Sequence, residues 1–112
     1  MLNAGDYRRV FDCALKSSDA CFTVLARARA SETGISRLGL AIAKKQLRRA
    51  VDRNRIKRLA RECFRSRVPH DSGLDFIVMA RSAVNRRTNR QLTDSLVHHF
   101  QRLIAKQQQS QA

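Results

Sequence analysis

Carboxylates and aromatic rings are scarce in this chain of 112 residues, and tryptophan is absent. The nine Asp and Glu residues are scattered, so the sequence shows no cluster of the kind that holds two catalytic metal ions. Only Asp71 and Asp75 come close together, and they lie at a predicted turn rather than on a common rigid element. The motifs GxGxxG, GxxxxGK[ST] and GxSxG are also missing, which leaves nucleotide and acyl chemistry without a motif. The sequence therefore predicts neither a catalytic residue nor a metal site.

Cysteine pairs and long apolar runs are lacking as well. Cys13, Cys21 and Cys63 are widely spaced without a CxxC pair, a pattern that favours reduced structural thiols over disulfides or zinc binding. No run approaches the roughly 18 apolar residues of a membrane span, and the start MLNAGDYRRV has no apolar core of a secretion signal. We therefore expect a cytoplasmic protein that has no membrane contact and binds no cofactor by itself.

Positive charge is what the chain has in excess. Its 23 Lys and Arg residues give a formal net charge of +14 and an isoelectric point near 11.5. An excess of this size points to a polyanionic partner. Arg outnumbers Lys 18 to 5, and the planar guanidinium can meet two phosphate oxygens and stack on a base, so nucleic acid is favoured over a membrane. Leu, Ile, Val and Phe number 28, enough for a folded core beneath this charge.

Hydrophobic spacing predicts helices at both ends of the chain and strands between them. The predicted elements are a helix over 3–16, strands over 21–28 and 37–45, a basic helix over 50–65, a strand over 74–81 and a helix from 88 to about 104. Thr88 and Gln91 fit a capping box at the start of the last helix. With no repeat and no long linker, we predict one α+β sandwich domain over 1–112, ordered over about 3–105 with a frayed tail over 106–112.

The basic helix carries most of the excess charge. Residues 44–67 contain eleven Lys or Arg and two acidic residues, so nine of the 14 net charges lie there. An apolar stripe gives this helix a core face, formed by Ile56, Leu59, Ala60, Cys63 and Phe64. Like-charged neighbours each cost a few tenths of a kcal/mol in an isolated helix. A bound phosphate backbone would offset that repulsion, whereas a merely solvated face normally mixes both signs. We therefore predict nucleic-acid contact here.

The stretch AKKQLRRAVDRNRIKRLARECFR, residues 43–65, resembles the basic core of the bacterial ribonuclease P protein subunit. The triplet Arg53-Asn54-Arg55 is followed by IKRL and by Arg61-Glu62, close to that family's motif. It also lies between an RxGLxxxKK strand and DFIVMAR at the family's separations, and the resemblance covers about residues 5–105.

The resemblance implies a fold and a function. The fold would have the order α-β-β-β-α-β-α, with a further strand near residues 16–19 and a left-handed βαβ crossover of the ribosomal protein S5 domain 2-like class. The partners would be a large catalytic RNA, which carries the chemistry with Mg²⁺ bound through it, and precursor tRNA, whose 5′ leader is removed. No obligate protein partner is implied. Charge alone leaves open a second function, a structural RNA-binding protein of ribosomal or RNA-chaperone type.

The resemblance also implies two sets of site residues. Contacts with the catalytic RNA would come from Arg53, Asn54, Arg55, Lys57, Arg58, Arg61, Arg65, Lys44 and Lys45. A leader-binding cleft between the first helix and the sheet would use Tyr7, Phe11 and Phe22, because unpaired bases commonly stack on aromatic rings beside cations. These rings also fit core spacing, so a structural role is the alternative for each. His98 and His99 point to different sides of the last helix, which favours exposed or packed residues over ligands.

Overall fold

The computed structural model describes residues 15–28, 34–71 and 73–111, and the side chains among them up to Gln107. The elements in chain order are β1 (Leu15–Ser18), β2 (Phe22–Ala28), β3 (Arg37–Ala41), α1 (Ala50–Arg67), β4 (Leu74–Ala80), a 3₁₀ helix (Ser82–Arg86) and α2 (Asn89–Gln111). This order of strands and helices confirms the α+β fold class.

The two ends of the chain differ from the sequence prediction. Residues 15 and 16, predicted to end the first helix, are extended in β1, because Leu15 and Lys16 pair with Ala26 and Leu25 of β2. This strand lies where the family resemblance requires one. The rest of the predicted first helix lies outside the described residues. At the other end α2 continues to Gln111, so the backbone of residues 106–111 is helical where a frayed tail was expected.

The four strands form one sheet in the order β1-β2-β4-β3. The pairs β1–β2 and β2–β4 are antiparallel, whereas β3 and β4 are parallel, with Leu38 opposite Phe76 and Leu40 opposite Val78. Parallel neighbours need a crossover connection, and α1 supplies it. The basic helix is therefore the crossover of a βαβ unit, and the left hand of that crossover stays a prediction.

Strand alternation gives the sheet two different faces. One face packs beneath α1 and α2 and carries the main core: Phe22, Val24, Ala26, Phe76, Val78 and Ala80 from the strands, with Leu92, Leu96, Phe100 and Leu103 from α2. The opposite face carries a smaller apolar cluster of Leu25 and Ile77 with Ala41 and Met79. In β3, Leu38 and Leu40 pack against the main core, whereas Ala41 packs against the smaller cluster.

Three phenylalanines join α1 to the rest of the core. Phe64 of α1 lies 6.0 Å from Phe76 of β4 and 6.1 Å from Phe100 of α2, measured between ring centroids, and the two latter rings are 5.3 Å apart. All three pairs meet edge to face, the arrangement that aromatic quadrupoles favour. The charged helix is thus fixed to the sheet by its apolar stripe, as predicted.

Hydrogen bonds define the start of α2. The Thr88 amide donates to Gln91 Oε1 at 2.9 Å, and the Gln91 amide donates to Thr88 Oγ1 at 3.1 Å. This reciprocal pair confirms the predicted capping box. The cap fixes the position at which α2 begins beside α1.

Candidate nucleic-acid interface on helix α1

The outer face of α1 presents a row of polar side chains that have no partners among the described residues. Ile56, Ala60 and Cys63 are buried against the core, which turns the opposite side of the helix to solvent. We call that side the open strip; it consists of Asn54, Lys57, Arg58, Arg61 and Arg65, which line one shallow depression of about 530 Å³ together with Glu62. Within the described part of the chain, no hydrogen bond or ion pair holds these five side chains. Arg53 and Arg65 are about 18 Å apart along the helix axis.

Arg53 and Arg55, in contrast, are bound within the protein. Nη1 of Arg53 donates to the carbonyl oxygens of Leu47 and Arg48, each at 2.8 Å. Nε of Arg55 donates to Asn89 Oδ1, and its Nη2 donates to the carbonyl of Arg87, both at 2.8 Å. The first arginine thus ties α1 to the loop before it, and the second ties α1 to the start of α2. Of the predicted triplet, only Asn54 belongs to the open strip.

Lys44 and Lys45 are exposed in the turn that precedes α1. The turn is closed by the amides of Gln46 and Leu47, which both donate to the carbonyl of Ala43 at 3.1 Å. Leu47 has no exposed surface and anchors this turn in the core. The two lysines are therefore available for contact on a fixed backbone, although the structure does not show them touching the open strip.

A second group of cations belongs to this surface and was not predicted from the sequence. Asn89, the partner of Arg55, lines a shallow depression of about 500 Å³ together with Asn54 and Arg58. Arg86, Arg87 and Arg90 flank Asn89 in the chain, and all three are exposed. The run RRTNR was the available signal, but the sequence showed only a loop and a helix cap there. The structure brings this run beside α1, so the basic surface extends past the open strip.

Phe22 does not lie where the leader-binding hypothesis needs it. Its ring has no exposed surface and belongs to the main core beneath the helices. A base cannot stack on a ring that is already covered, so the assignment of Phe22 to leader contact is wrong. The error follows from strand alternation, because Thr23, Leu25 and Arg27 are the β2 residues that face the other way. Tyr7 and Phe11 lie outside the described residues.

The carboxylates that the structure describes do not form a metal site. Asp75, predicted to share a turn with Asp71, lies in β4, where its side chain accepts hydrogen bonds from Nε and Nη2 of Arg37 at 2.9 and 2.8 Å. Within the described ranges, no group of three or more His, Cys, Asp or Glu side chains is placed to hold a metal ion.

A buried polar cluster connects β1 to α2. Ser17 Oγ lies 2.6 Å from His99 Nδ1, and Asp19 Oδ2 lies 3.0 Å from His99 Nε2. The atoms are ordered as in a nucleophilic triad, but Ser17 and His99 are only 2% and 1% exposed. No substrate can reach the hydroxyl, so this cluster is structural.

Burial and hydrogen bonds shift the pKa values of this cluster. Burial lowers the pKa of His99 below 6.5, although the Asp19 carboxylate opposes that shift. Burial by itself would raise the pKa of Asp19, but hydrogen bonds from the Ser95 hydroxyl and from the amides of Phe22 and Cys21 outweigh it and lower the pKa to about 2. A neutral imidazole therefore faces an ionised carboxylate at neutral pH.

Stability is expected to fall in two steps on acidification. The unfolded chain takes up the His99 proton more readily than the folded chain, so the free energy of unfolding falls as the pH drops below about 6.5. Asp19 adds a second fall as the pH drops below about 4, because its folded pKa is about 2 and its usual value is 3.8. Urea unfolding followed by circular dichroism across this range measures both steps. His99→Gln should remove the upper step and Asp19→Asn should reduce the lower one; an unchanged profile in either variant would contradict the assignment.

No helix within the described residues is both long and apolar enough to cross a membrane.

Comparison with known proteins places the chain in a family. Residues 1–104 match the family model described as Ribonuclease P. The Ribonuclease P protein component of Thioalkalivibrio sulfidiphilus is 48% identical over 97 residues, which are 87% of this chain and 79% of that protein. The protein of the same name from Methylococcus capsulatus is 45% identical over 95 residues, 85% of this chain and 73% of that protein.

Solved structures agree with this result. The Staphylococcus aureus RNase P protein superposes with a TM-score of 0.80 at 31% identity, covering 90% of this chain and 91% of that one. The sequence motif, the order of the strands and helices, and these matches lead to the same conclusion. The chain belongs to the ribonuclease P family, as a relative of the bacterial proteins named ribonuclease P protein component.

Proposed function

We propose that this chain is the RNA-binding protein subunit of a ribonuclease P. It binds the catalytic RNA through the open strip and helps that RNA to remove the 5′ leader from precursor tRNA in the cytoplasm. The observation that carries the proposal is the open strip, where four cations and an asparagine have no partner within the described residues. The RNA supplies the chemistry and holds the Mg²⁺, and the chain supplies charge and position.

The physical role of the strip follows from phosphate repulsion. A folded RNA brings its backbones close together, and neutralising them with divalent ions requires a high Mg²⁺ concentration. Arginines on a fixed helix neutralise phosphates and release the counterions bound to them. The RNA therefore needs a lower Mg²⁺ concentration when the protein is bound. Lys44, Lys45 and the arginines around Asn89 extend the same surface. Arg53 and Arg55 support it mainly by fixing the loops on either side.

The leader contact belongs on the sheet face that α1 and α2 do not cover. This face carries the Leu25 and Ile77 cluster, and Arg81 donates from its edge to Thr23 Oγ1 at 3.2 Å. Leu25 and Ile77 are themselves buried, so the leader would contact exposed groups around this cluster, such as Arg81, rather than the cluster itself. Tyr7 and Phe11 remain candidates for the stacking rings there. Phe22 has no part in this contact because it is buried on the other side.

Processing of precursor tRNA at low Mg²⁺ tests the proposal. We expect the ribonuclease P RNA of the same genome to remove the leader slowly or not at all under these conditions, and rapidly once the chain is added. High Mg²⁺ should restore cleavage by the RNA alone, which shows that the RNA is competent. The measurement is the single-turnover rate of leader release, read on a denaturing gel.

Two outcomes would overturn the proposal. If the chain binds the RNA but leaves cleavage unchanged, a structural RNA-binding role fits better. If the chain cleaves precursor tRNA without the RNA, the chemistry has been assigned to the wrong molecule.

A further inference from the structure

A groove runs between β3 and α1, next to the open strip. Its volume is about 570 Å³, and it is lined by Ile35, Ser36, Arg37, Leu38, Leu40, Arg61, Phe64, Arg65, Val68 and His70. This volume lies within the range of small-molecule sites, about 300–1,000 Å³. One end is closed by hydrogen bonds from Ser36, whose amide donates to the His70 carbonyl at 2.8 Å and whose hydroxyl donates to the Pro69 carbonyl at 2.6 Å.

The floor of the groove is apolar and partly open to solvent. Leu38, Leu40 and Phe64 are only partly buried, although they pack against the main core. Ile35 is 43% exposed, one of two large hydrophobic side chains that stand out in the described part of the chain. The Phe64 ring is fixed by its edge-to-face contacts with Phe76 and Phe100, so the floor keeps its shape. A rigid, exposed apolar floor is a surface that gains from being covered.

The rim of the groove is cationic. Three arginines and a histidine line it, and among the described residues no carboxylate does. Arg37 is neutralised by Asp75, whose carboxylate lies 2.8 Å from Nη2. Arg61 and Arg65 have no such partner within the described ranges, and one helical turn places them about 6 Å apart along the axis. Arg61 and Arg65 also belong to the open strip, so phosphates bound to these two arginines lie at the entrance of the groove.

We propose that this groove receives one unpaired nucleotide of the bound catalytic RNA. Its base lies against Ile35 and Phe64, and the adjoining phosphates lie against Arg61 and Arg65. A nucleotide matches both parts of the site, since it joins a flat apolar face to an anionic group. A basic peptide would meet repulsion at the rim, and an acyl chain would leave the two arginines unmatched. The inference rests on the proposed function, because it extends the same RNA surface from phosphate contact to base contact.

Site-specific photocrosslinking tests the location. The photoreactive amino acid p-benzoylphenylalanine is placed at position 35, in the groove, and in a separate variant at position 54, on the open strip. Each variant is assembled with the ribonuclease P RNA and irradiated, and the crosslinked nucleotides are mapped by reverse transcription. We expect the variant at position 54 to crosslink to base-paired regions of the RNA. The variant at position 35 should crosslink to one unpaired nucleotide.

The outcomes separate the two proposals. Suppose that position 54 crosslinks to the RNA but position 35 does not, or that position 35 gives only diffuse crosslinks to paired nucleotides. Either result would overturn the groove assignment and leave RNA binding through α1 intact. No crosslink from either position would overturn RNA binding through α1 itself.

Affinity measurements give an independent check. Ile35→Ser should weaken binding of the RNA about fivefold or more at fixed salt, an amount typical of losing contact with one base. The slope of affinity against salt concentration should stay the same, because no phosphate contact is lost. Val97→Ser is the matched control, since Val97 is a partly exposed β-branched residue of α2 that lines neither the groove nor the basic depressions on α1. We expect about a twofold change at most in the control. Equal losses in the two variants, or no loss for Ile35→Ser, would contradict the proposal.

Discussion

Replacing Arg58, Arg61 and Arg65 together by glutamine is expected to weaken binding of the catalytic RNA by about 10²- to 10³-fold at 0.1 M monovalent salt. Each phosphate contact contributes roughly 0.9 to the slope of log affinity against log salt, so three lost contacts flatten the slope by about 2.7. The RNA affinities of the wild type and the variant should then become equal near 1 M salt. The difference at 0.1 M follows from that convergence.

Filter binding or fluorescence titration across a salt series measures both quantities. The single variants Arg61→Gln and Arg102→Gln form a matched pair, because both remove one charge from an exposed helical position. Arg61→Gln should flatten the slope by about 0.9, whereas Arg102→Gln on α2 should leave it nearly unchanged. Because the three strip arginines have no partner within the described residues, the triple variant should unfold at the wild-type temperature. An unchanged slope in a folded triple variant would show that the RNA binds elsewhere.

Arg53 and Arg55 provide a contrast to the strip. Removing either one leaves two acceptors without a charged donor, and a hydrogen bond to a charged group contributes about 1.5–3 kcal/mol. Much of that is regained where water reaches the freed acceptor. Their glutamine variants should therefore lower thermal stability in addition to any effect on affinity. Comparing melting temperature with salt slope separates a supporting arginine from a binding arginine.

Phe76→Ala is expected to lower the free energy of unfolding by about 3–5 kcal/mol. Phe76 has no exposed surface, and its ring contacts both Phe64 and Phe100, so its removal leaves a cavity where β4, α1 and α2 meet. For a domain of this size each kcal/mol corresponds to roughly 4–8 °C in melting temperature. The variant should therefore melt at least 12 °C or so below the wild type.

Thermal unfolding followed by circular dichroism measures this loss. Phe76→Leu is the matched control, since it keeps most of the apolar volume and should cost less than half as much. RNA at saturating concentration should restore part of the lost stability, because it binds only the folded chain. A Phe76→Ala variant that melts within a few degrees of the wild type would contradict the assigned core.

Periodicity predicted the parts of the fold that depend on local pattern. The apolar stripe from Ile56 to Phe64 and the Thr88–Gln91 capping box could be predicted, because each depends on the spacing of residues within one helix. Hydrophobic periodicity did not predict β1, because Leu15 and Lys16 are extended only through their pairing with β2. That strand came from the family resemblance.

The sequence predicted which helix carries the candidate site, but not which of its arginines are held inside the protein and which are free to bind RNA. Charge density located α1, yet Arg53 and Arg58 look alike in sequence. Only the positions of the Leu47 and Arg48 carbonyls show that Arg53 is held internally. Phe22 was misassigned because an aromatic residue at a strand start can face either side until the register with β4 is known. The groove beside β3 was not visible at all, since its residues come from distant parts of the chain.

The sheet order has a consequence for the chain before it meets its RNA. The two outer strands, β1 and β3, are four and five residues long. Short outer strands offer little template for backbone pairing with a second copy, and a net charge of +14 keeps copies apart. The unassembled chain should therefore resist aggregation at low ionic strength and become more prone to self-association as added salt screens that repulsion.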